Sequence, residues 1–242
     1  MSNFQTPTET IELPSKGLVY PKDNPLSKGK LEMKYMTAKE EDILTNSAYI
    51  EKGTVIDKLL QSLIVTNINY NDLIVGDKNA IMIAARILGY GEKYSFEFKG
   101  EEEEIDLTLL ENKKLDESLF VKGTNNFSYT LPTTNTEITF KILTHKDEQN
   151  ISREIEGLKK IHKNSSASIS TRLKHIITSV GGDTDNKTIR EFVDKYMLAQ
   201  DSRALRKYIE KIQPDVDLTF FPQVGNDKKS LPIGLSFFWP DI

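Results

Sequence analysis

The chain has no cysteine among its 242 residues. That excludes disulfides, thiol nucleophiles and thiolate metal ligands together. It fits a reducing cytoplasm. Net positive charge is also missing: 32 basic residues face 36 acidic ones, for a formal charge of −4. Non-specific nucleic-acid binding draws on concentrated Lys and Arg, so nucleic acid is not an expected partner. Long apolar runs are absent. The stretch Ala80-Ile81-Met82-Ile83-Ala84-Ala85 falls far short of the about 20 residues a bilayer span needs. The segment Met1 to Thr6 lacks a basic start leading into an apolar core, so no secretory signal is expected. Histidine is scarce, with His145, His162 and His175 alone. No two of them have the i, i+4 spacing of a helical zinc site, and all three read as solvated. No nucleophile elbow and no phosphate-cradling glycine loop ahead of Lys-Ser or Lys-Thr is present. Gly181-Gly182-Asp183 reads as a helix stop.

What is present is the composition of a folded domain, 38% hydrophobic and 28% charged. Residues 1–30 are rich in Pro, Gly, Ser, Thr and Lys, which disfavours a helix and reads as an extended arm. Leu31 to Met36 then alternates apolar and polar, the period of a half-buried strand. Thr37 with Glu40 forms a capping box that opens a helix towards Ile50. The pattern returns. Ile138 to Leu143 alternates in the same way, and Thr144 with Asp147 repeats the cap. LEMKYMTAKEEDIL at 31–44 lies over ITFKILTHKDEQNI at 138–151, with Lys34 over Lys141 and Thr37 over Thr144. Leu13-Pro14 and Leu131-Pro132 precede the two strands.

The correspondence runs on downstream. Apolar residues at helical spacing fill Thr54 to Val65 and Ser168 to Val180, the second stripe including Ile169. Asp77 reads as the N-cap of one further helix, and Gln200-Asp201 opens its counterpart. A β-hairpin follows each. The fold expected is α+β, in two similar lobes at 31–121 and 127–242 related by internal duplication, joined through the polar stretch Lys122 to Asn126. Asp183 to Ala199 adds a helix to the second lobe. The run Glu101 to Glu104 reads as the solvated tip of the first hairpin.

Three adjacent aromatics, Phe237, Phe238 and Trp239, precede Pro240. They either pack on their own core or anchor in another subunit. Arg86, inside an apolar stretch, is an outward cation or half of a buried ion pair.

Leu13-Pro14-Ser15-Lys16-Gly17, Met36-Thr37, Glu40 to Leu44, Lys52-Gly53, Gly76-Asp77-Lys78, Arg86, Tyr90-Gly91 and Phe237 to Pro240, in this order, resemble the baseplate hub proteins of T4-like phages. That resemblance covers nearly the whole chain. It implies a non-enzymatic protein without cofactor or metal, acting by protein–protein binding. The role is either a chaperone-like assembly factor or a permanent hub subunit. The implied partners are hub proteins or the tape-measure protein, in the host cytoplasm during assembly or in the virion tail, and homo-oligomerisation is left open. The implied contact residues are Leu13, Pro14, Tyr20, Arg86, Tyr90, Phe237, Phe238, Trp239 and Pro240. A carboxylate-dependent hydrolase is the remote alternative. One departure stands out. Relatives often carry Cys-x-x-Cys knuckles in both hairpins, whereas Phe221-Pro222-Gln223-Val224-Gly225 stands here. Phe221 and Val224 would have to close that hairpin by apolar packing.

Overall fold

A computed structural model describes residues 6–161, 167–223 and 227–238. The architecture is mixed α+β, with helices around small antiparallel sheets. The first half opens with β1 (Thr8–Glu12) paired to β2 (Lys30–Lys34). Helices α1 (Ala38–Leu44), α2 (Ser47–Glu51), α3 (Val55–Leu63) and α4 (Val75–Tyr90) follow. The hairpin β3 (Lys93–Phe98) and β4 (Glu101–Asp106) comes next.

The second half has β5 (Phe127–Thr130), β6 (Glu137–Phe140), α5 (His145–Ile161) and α6 (Ser168–Ile176). β7 (Ile177–Val180), α7 (Asn186–Glu191) and a π-helical turn at Phe192–Tyr196 continue it. α8 (Ala199–Ile212) leads to the short hairpin β8 (Thr219–Phe220) and β9 (Lys229–Ser230). Strands β5, β6 and β7 form one sheet in that order.

Alternation sets the strand faces as expected. Leu31 and Met33 of β2, and Ile138 and Phe140 of β6, are all buried. The capping box forms at Thr37, where the Thr37 amide and hydroxyl both donate to Glu40. The helix it opens ends at Leu44 rather than Ile50. Asn46 accepts from the Tyr49 amide and starts α2 as a separate helix. The helix expected from Ser168 to Val180 also ends early. Its last four residues form β7, because Ile177 and Val180 pair with Phe140 and Ile138.

The N-terminal arm is not peripheral. After β1 the chain folds back, and Leu13, Val19, Tyr20 and Leu26 enter the core. Gly17 and Gly29 let the two sides of this loop touch. Both have positive φ, and a Cβ on Gly17 would lie 2.4 Å from the Ser27 carbonyl oxygen. Among the described residues of the arm no α-helix forms, though Pro25–Lys28 make a short 3-10 helix capped by Asn24. Proline and glycine density did not exclude a tightly packed loop.

The two halves share one hydrophobic core. They also interlock by backbone. Ile74 bridges to Thr144 and Asn112 to Val216, and the Asn79 side chain donates to Asp215 at 2.9 Å. Gly76 is required at the crossing, since a Cβ there would sit 1.8 Å from the Pro214 carbonyl oxygen.

Candidate interaction surfaces and buried polar clusters

Several residues named as partner contacts face inward. Leu13 and Tyr20 are buried, and Pro14 with them. Phe237 and Phe238 lie in the turn Ser236–Phe238 with 0% and 1% of their surface exposed. Phe237 packs edge-on against Tyr94 at 4.8 Å. These side chains hold the chain together in this conformation and offer no partner a surface. Of the two readings of the aromatic segment, its first two rings follow the core-packing one. Trp239 and Pro240 lie outside the described residues.

Arg86 is 5% exposed but forms no ion pair among the described residues. Its guanidinium carbon lies 5.0 Å from the Tyr90 ring and 5.7 Å from the Tyr94 ring. Nε and Nη1 have no hydrogen-bond partner. Burial lowers its pKa, and the two tyrosines act against that. Ring faces attract the cation but replace only part of its lost hydration. Tyr90 itself is half-buried at the end of α4.

Five carboxylates are buried among the described residues, and four of them, Glu40, Asp77, Asp147 and Asp201, tie down a loop or a helix end. Glu40 accepts from Lys34 Nζ at 2.8 Å, from Thr37 and from the Ser62 hydroxyl. Burial acts to raise its pKa, but these donors outweigh it and hold the group at about 2. Asp147 accepts from Lys141 Nζ at 2.7 Å and from the Thr144 amide and hydroxyl. Asp77 accepts from the Ser15 amide at 2.9 Å, the Ser15 hydroxyl at 2.7 Å and the Tyr20 hydroxyl at 2.6 Å. Burial dominates there and raises its pKa to about 6. Asp201 accepts from the Thr133 amide at 2.7 Å and the Thr134 amide at 3.1 Å. Burial is again opposed, and here the threonine donors win and lower the pKa.

Asp77 is therefore not an N-cap. Ile74 takes that position, and Asp77 is the third residue of the helix. Asp201 is likewise the third residue of α8. Carboxylates in a first turn are favoured by the free amides and the helix dipole. Their hydrogen-bond donors come from loops 57 to 68 residues away, which no local pattern reveals.

The histidines depart from the solvated reading. His145 is 5% exposed. Its ring packs edge-on to Tyr70 at 4.7 Å, and its Nε2 lies 2.9 Å from Gln149 Nε2 and 3.6 Å from Asp57 Oδ2. Asp57 also accepts from Tyr70 and Lys78. Burial lowers the His145 pKa, against the pull of Asp57. This cluster joins α3 and α4 to α5. His175 pairs with Glu154 at 2.9 Å, which Arg190 also grips. His162 lies outside the described residues. Among the described residues no group of three His, Cys, Asp or Glu is placed to hold a metal ion.

The hairpins differ from expectation too. The acidic run Glu101 to Glu104 is strand, and the turn is Lys99-Gly100, both at positive φ. Glu103 is buried and accepts from the Gln223 amide at 2.8 Å. Phe220, one position before Phe221, closes the contact between hairpins by packing edge-on to Phe96 and Phe98. Phe221 is 67% exposed, and Val224 lies outside the described residues.

An open groove runs between α6 and α8, with a cavity volume of about 390 Å³. Leu173, Ile176 and Ile209 form an apolar floor, and Arg172, Arg206 and Lys113 stand among its walls. Sequence reading placed Ile169 on an apolar stripe, yet it is 52% exposed beside this groove. That mismatch is the only local trace of the groove, because its walls come from segments far apart in the chain. Comparison with protein-family models, with curated proteins and with solved structures found no match.

Proposed function

We propose that the chain is a protein-binding assembly factor of the phage baseplate hub type, built from two diverged copies of one α+β unit. It engages hub proteins or the tape-measure protein by surface complementarity and turns over no substrate. The residue order that resembles T4-like hub proteins supports the family. The paired anchoring of buried acids carries the structural part of the reading. Glu40 and Asp147 make the same Lys, Thr-amide and Thr-hydroxyl bonds at a constant offset. Asp77 and Asp201 each receive the amide that follows a Leu-Pro pair. Met33 bridges to Ile64 as Phe140 pairs with Ile177.

These carboxylates are the groups best placed to be catalytic by burial, and their acceptor sites are occupied by structural donors. That favours binding over hydrolysis. Co-expression of the full chain with the neighbouring tail proteins, followed by affinity capture, tests the reading. Capture of a hub or tape-measure protein in fixed stoichiometry is expected. A chain that purifies alone from every such combination sinks it. Mass spectrometry of finished particles then separates a departing chaperone from a resident subunit.

A further inference from the structure

We propose that His145, at the seam between the two halves, is a proton-operated switch. Neutral, its Nε2 accepts from Gln149 of its own helix. Protonated, Nε2 turns to donate to Asp57 of α3. The backbone fixes where the ring stands. The His145 amide donates to the Leu73 carbonyl at 2.7 Å, and Ile74 bridges to Thr144. The residue is 5% exposed and its ring lies edge-on to Tyr70. Nε2 then has neighbours of opposite kind, Gln149 Nε2 at 2.9 Å and Asp57 Oδ2 at 3.6 Å.

The neutral state follows from a chain of donors. Arg153 Nη2 donates to Gln149 Oε1 at 3.3 Å. A guanidinium can only donate, so this contact turns the Gln149 oxygen towards Arg153 and its NH2 group towards His145. That NH2 group also only donates. The His145 nitrogen it meets is therefore bare, and the imidazole is neutral with its proton on Nδ1. Nδ1 is not among the buried polar atoms left without a partner.

The protonated state has an acceptor waiting. Asp57 receives both Tyr70 and Lys78 on one oxygen, Oδ1. Its Oδ2 has no hydrogen bond to a described residue and is the oxygen that faces His145. A proton on Nε2 would meet the Gln149 NH2 group, donor against donor. A small turn of the ring towards Oδ2 removes that conflict and makes a charge-assisted bond. The charges around the ring come from every helix packed on it. Burial is the strongest influence and opposes the proton. Asp57 favours it, Lys78 of α4 opposes it, and Glu148 of α5, itself gripped by Arg172 of α6, favours it. Tyr70 stays a neutral donor, because burial and Asp57 push its pKa up. The balance lowers the His145 pKa, so the exchange belongs to acidic conditions. It moves the His145 tie from within α5 to across the seam.

The test follows the full chain, carrying nitrogen-15-labelled histidine, by long-range proton–nitrogen NMR from pH 4 to pH 8. The signals missing in His145→Asn assign the residue. At pH 7 His145 should be the Nδ1–H tautomer, read directly from its two ring-nitrogen shifts, and its midpoint should lie below the 6.5 of a free side chain. Gln149→Ala removes the donor that requires a bare Nε2 and should raise the midpoint by about half a pH unit or more. Asp57→Asn removes the waiting acceptor and should lower it by about one unit. An Nε2–H tautomer at pH 7 overturns the proposal in the wild-type chain, with no variant needed. A midpoint that Gln149→Ala leaves in place, or that Asp57→Asn raises, overturns it as well.

Discussion

Asp77 should make the stability of this protein depend on pH in a direction opposite to most buried acids. Its carboxylate has none of its surface exposed, and its pKa stands at about 6 against 3.8 for the free side chain. The sign follows from proton binding. Below the unfolded pKa both states are protonated and the group contributes nothing. As pH rises from about 4 to about 6, the unfolded chain releases the proton while the folded chain holds it. Folding is weakened across that window and the full penalty persists above it. About two units at 1.36 kcal/mol each give a penalty of roughly 3 kcal/mol at neutral pH. Asp77→Asn removes the titration and keeps an oxygen for the Ser15 amide. The hydroxyls of Ser15 and Tyr20 can turn to accept from its amide group. Urea unfolding of both proteins between pH 4 and pH 7.5 measures the difference, and other titrating groups cancel. Relative to D77N, wild type should lose roughly 2 kcal/mol as pH rises from 4 to 6 and level off by about pH 7. A flat difference would refute the reasoning. An opposite slope would show that the three donors outweigh burial.

Two further outcomes test the core. Gly76→Ala drives a Cβ into the Pro214 carbonyl, whereas Gly89→Ala meets the Met36 side chain, most closely at its flexible end. G76A should lose about 3 kcal/mol in urea unfolding and G89A about 1 kcal/mol, and the reverse order would discard the crossing as a packing constraint. Phe237→Ala should cost about 3–5 kcal/mol, while Phe221→Ala at an exposed site should stay within about 0.5 kcal/mol. Similar thermal melts for the two would return the tail aromatics to the surface.

Local chemistry was legible and long-range chemistry was not. The capping box at Thr37, the alternation of Leu31 and Met33 and the helical stripe of α3 depend on neighbours within a few residues, and each formed. The α1–α2 break depended on Asn46, a cap inside what looked like one helix. Burial of a polar residue requires knowing its distant partner. Asp77 looked like a cap because its ligands, Ser15 and Tyr20, lie about sixty residues earlier. His145 looked solvated because Tyr70 and Asp57 are equally remote. The segment read as an extended arm because proline and glycine encode its turns without encoding that Leu13 and Tyr20 point inward. The groove was invisible for the same reason, being a space between elements.

Matching caps alone would be weak support for two copies of one unit, since capping boxes recur wherever helices start. The Asp77 and Asp201 contacts are of another kind. A helix N-terminus is satisfied by nearby groups and has no need of a loop 62 or 68 residues upstream. Both aspartates nevertheless sit at the third helical position and receive the backbone amide after Leu13-Pro14 or Leu131-Pro132. Independent origin requires that long connection to arise twice with the same atoms. Descent from one unit requires it once, followed by divergence. On the proposed descent from one unit, divergence would be physically ordered. The anchoring acids would have kept their donors, while their surroundings send Asp77 and Asp201 to opposite sides of the usual carboxylate pKa. The outward strip would have changed from Arg86 beneath tyrosines to exposed Glu210. A surface under no packing constraint is where a partner can be selected.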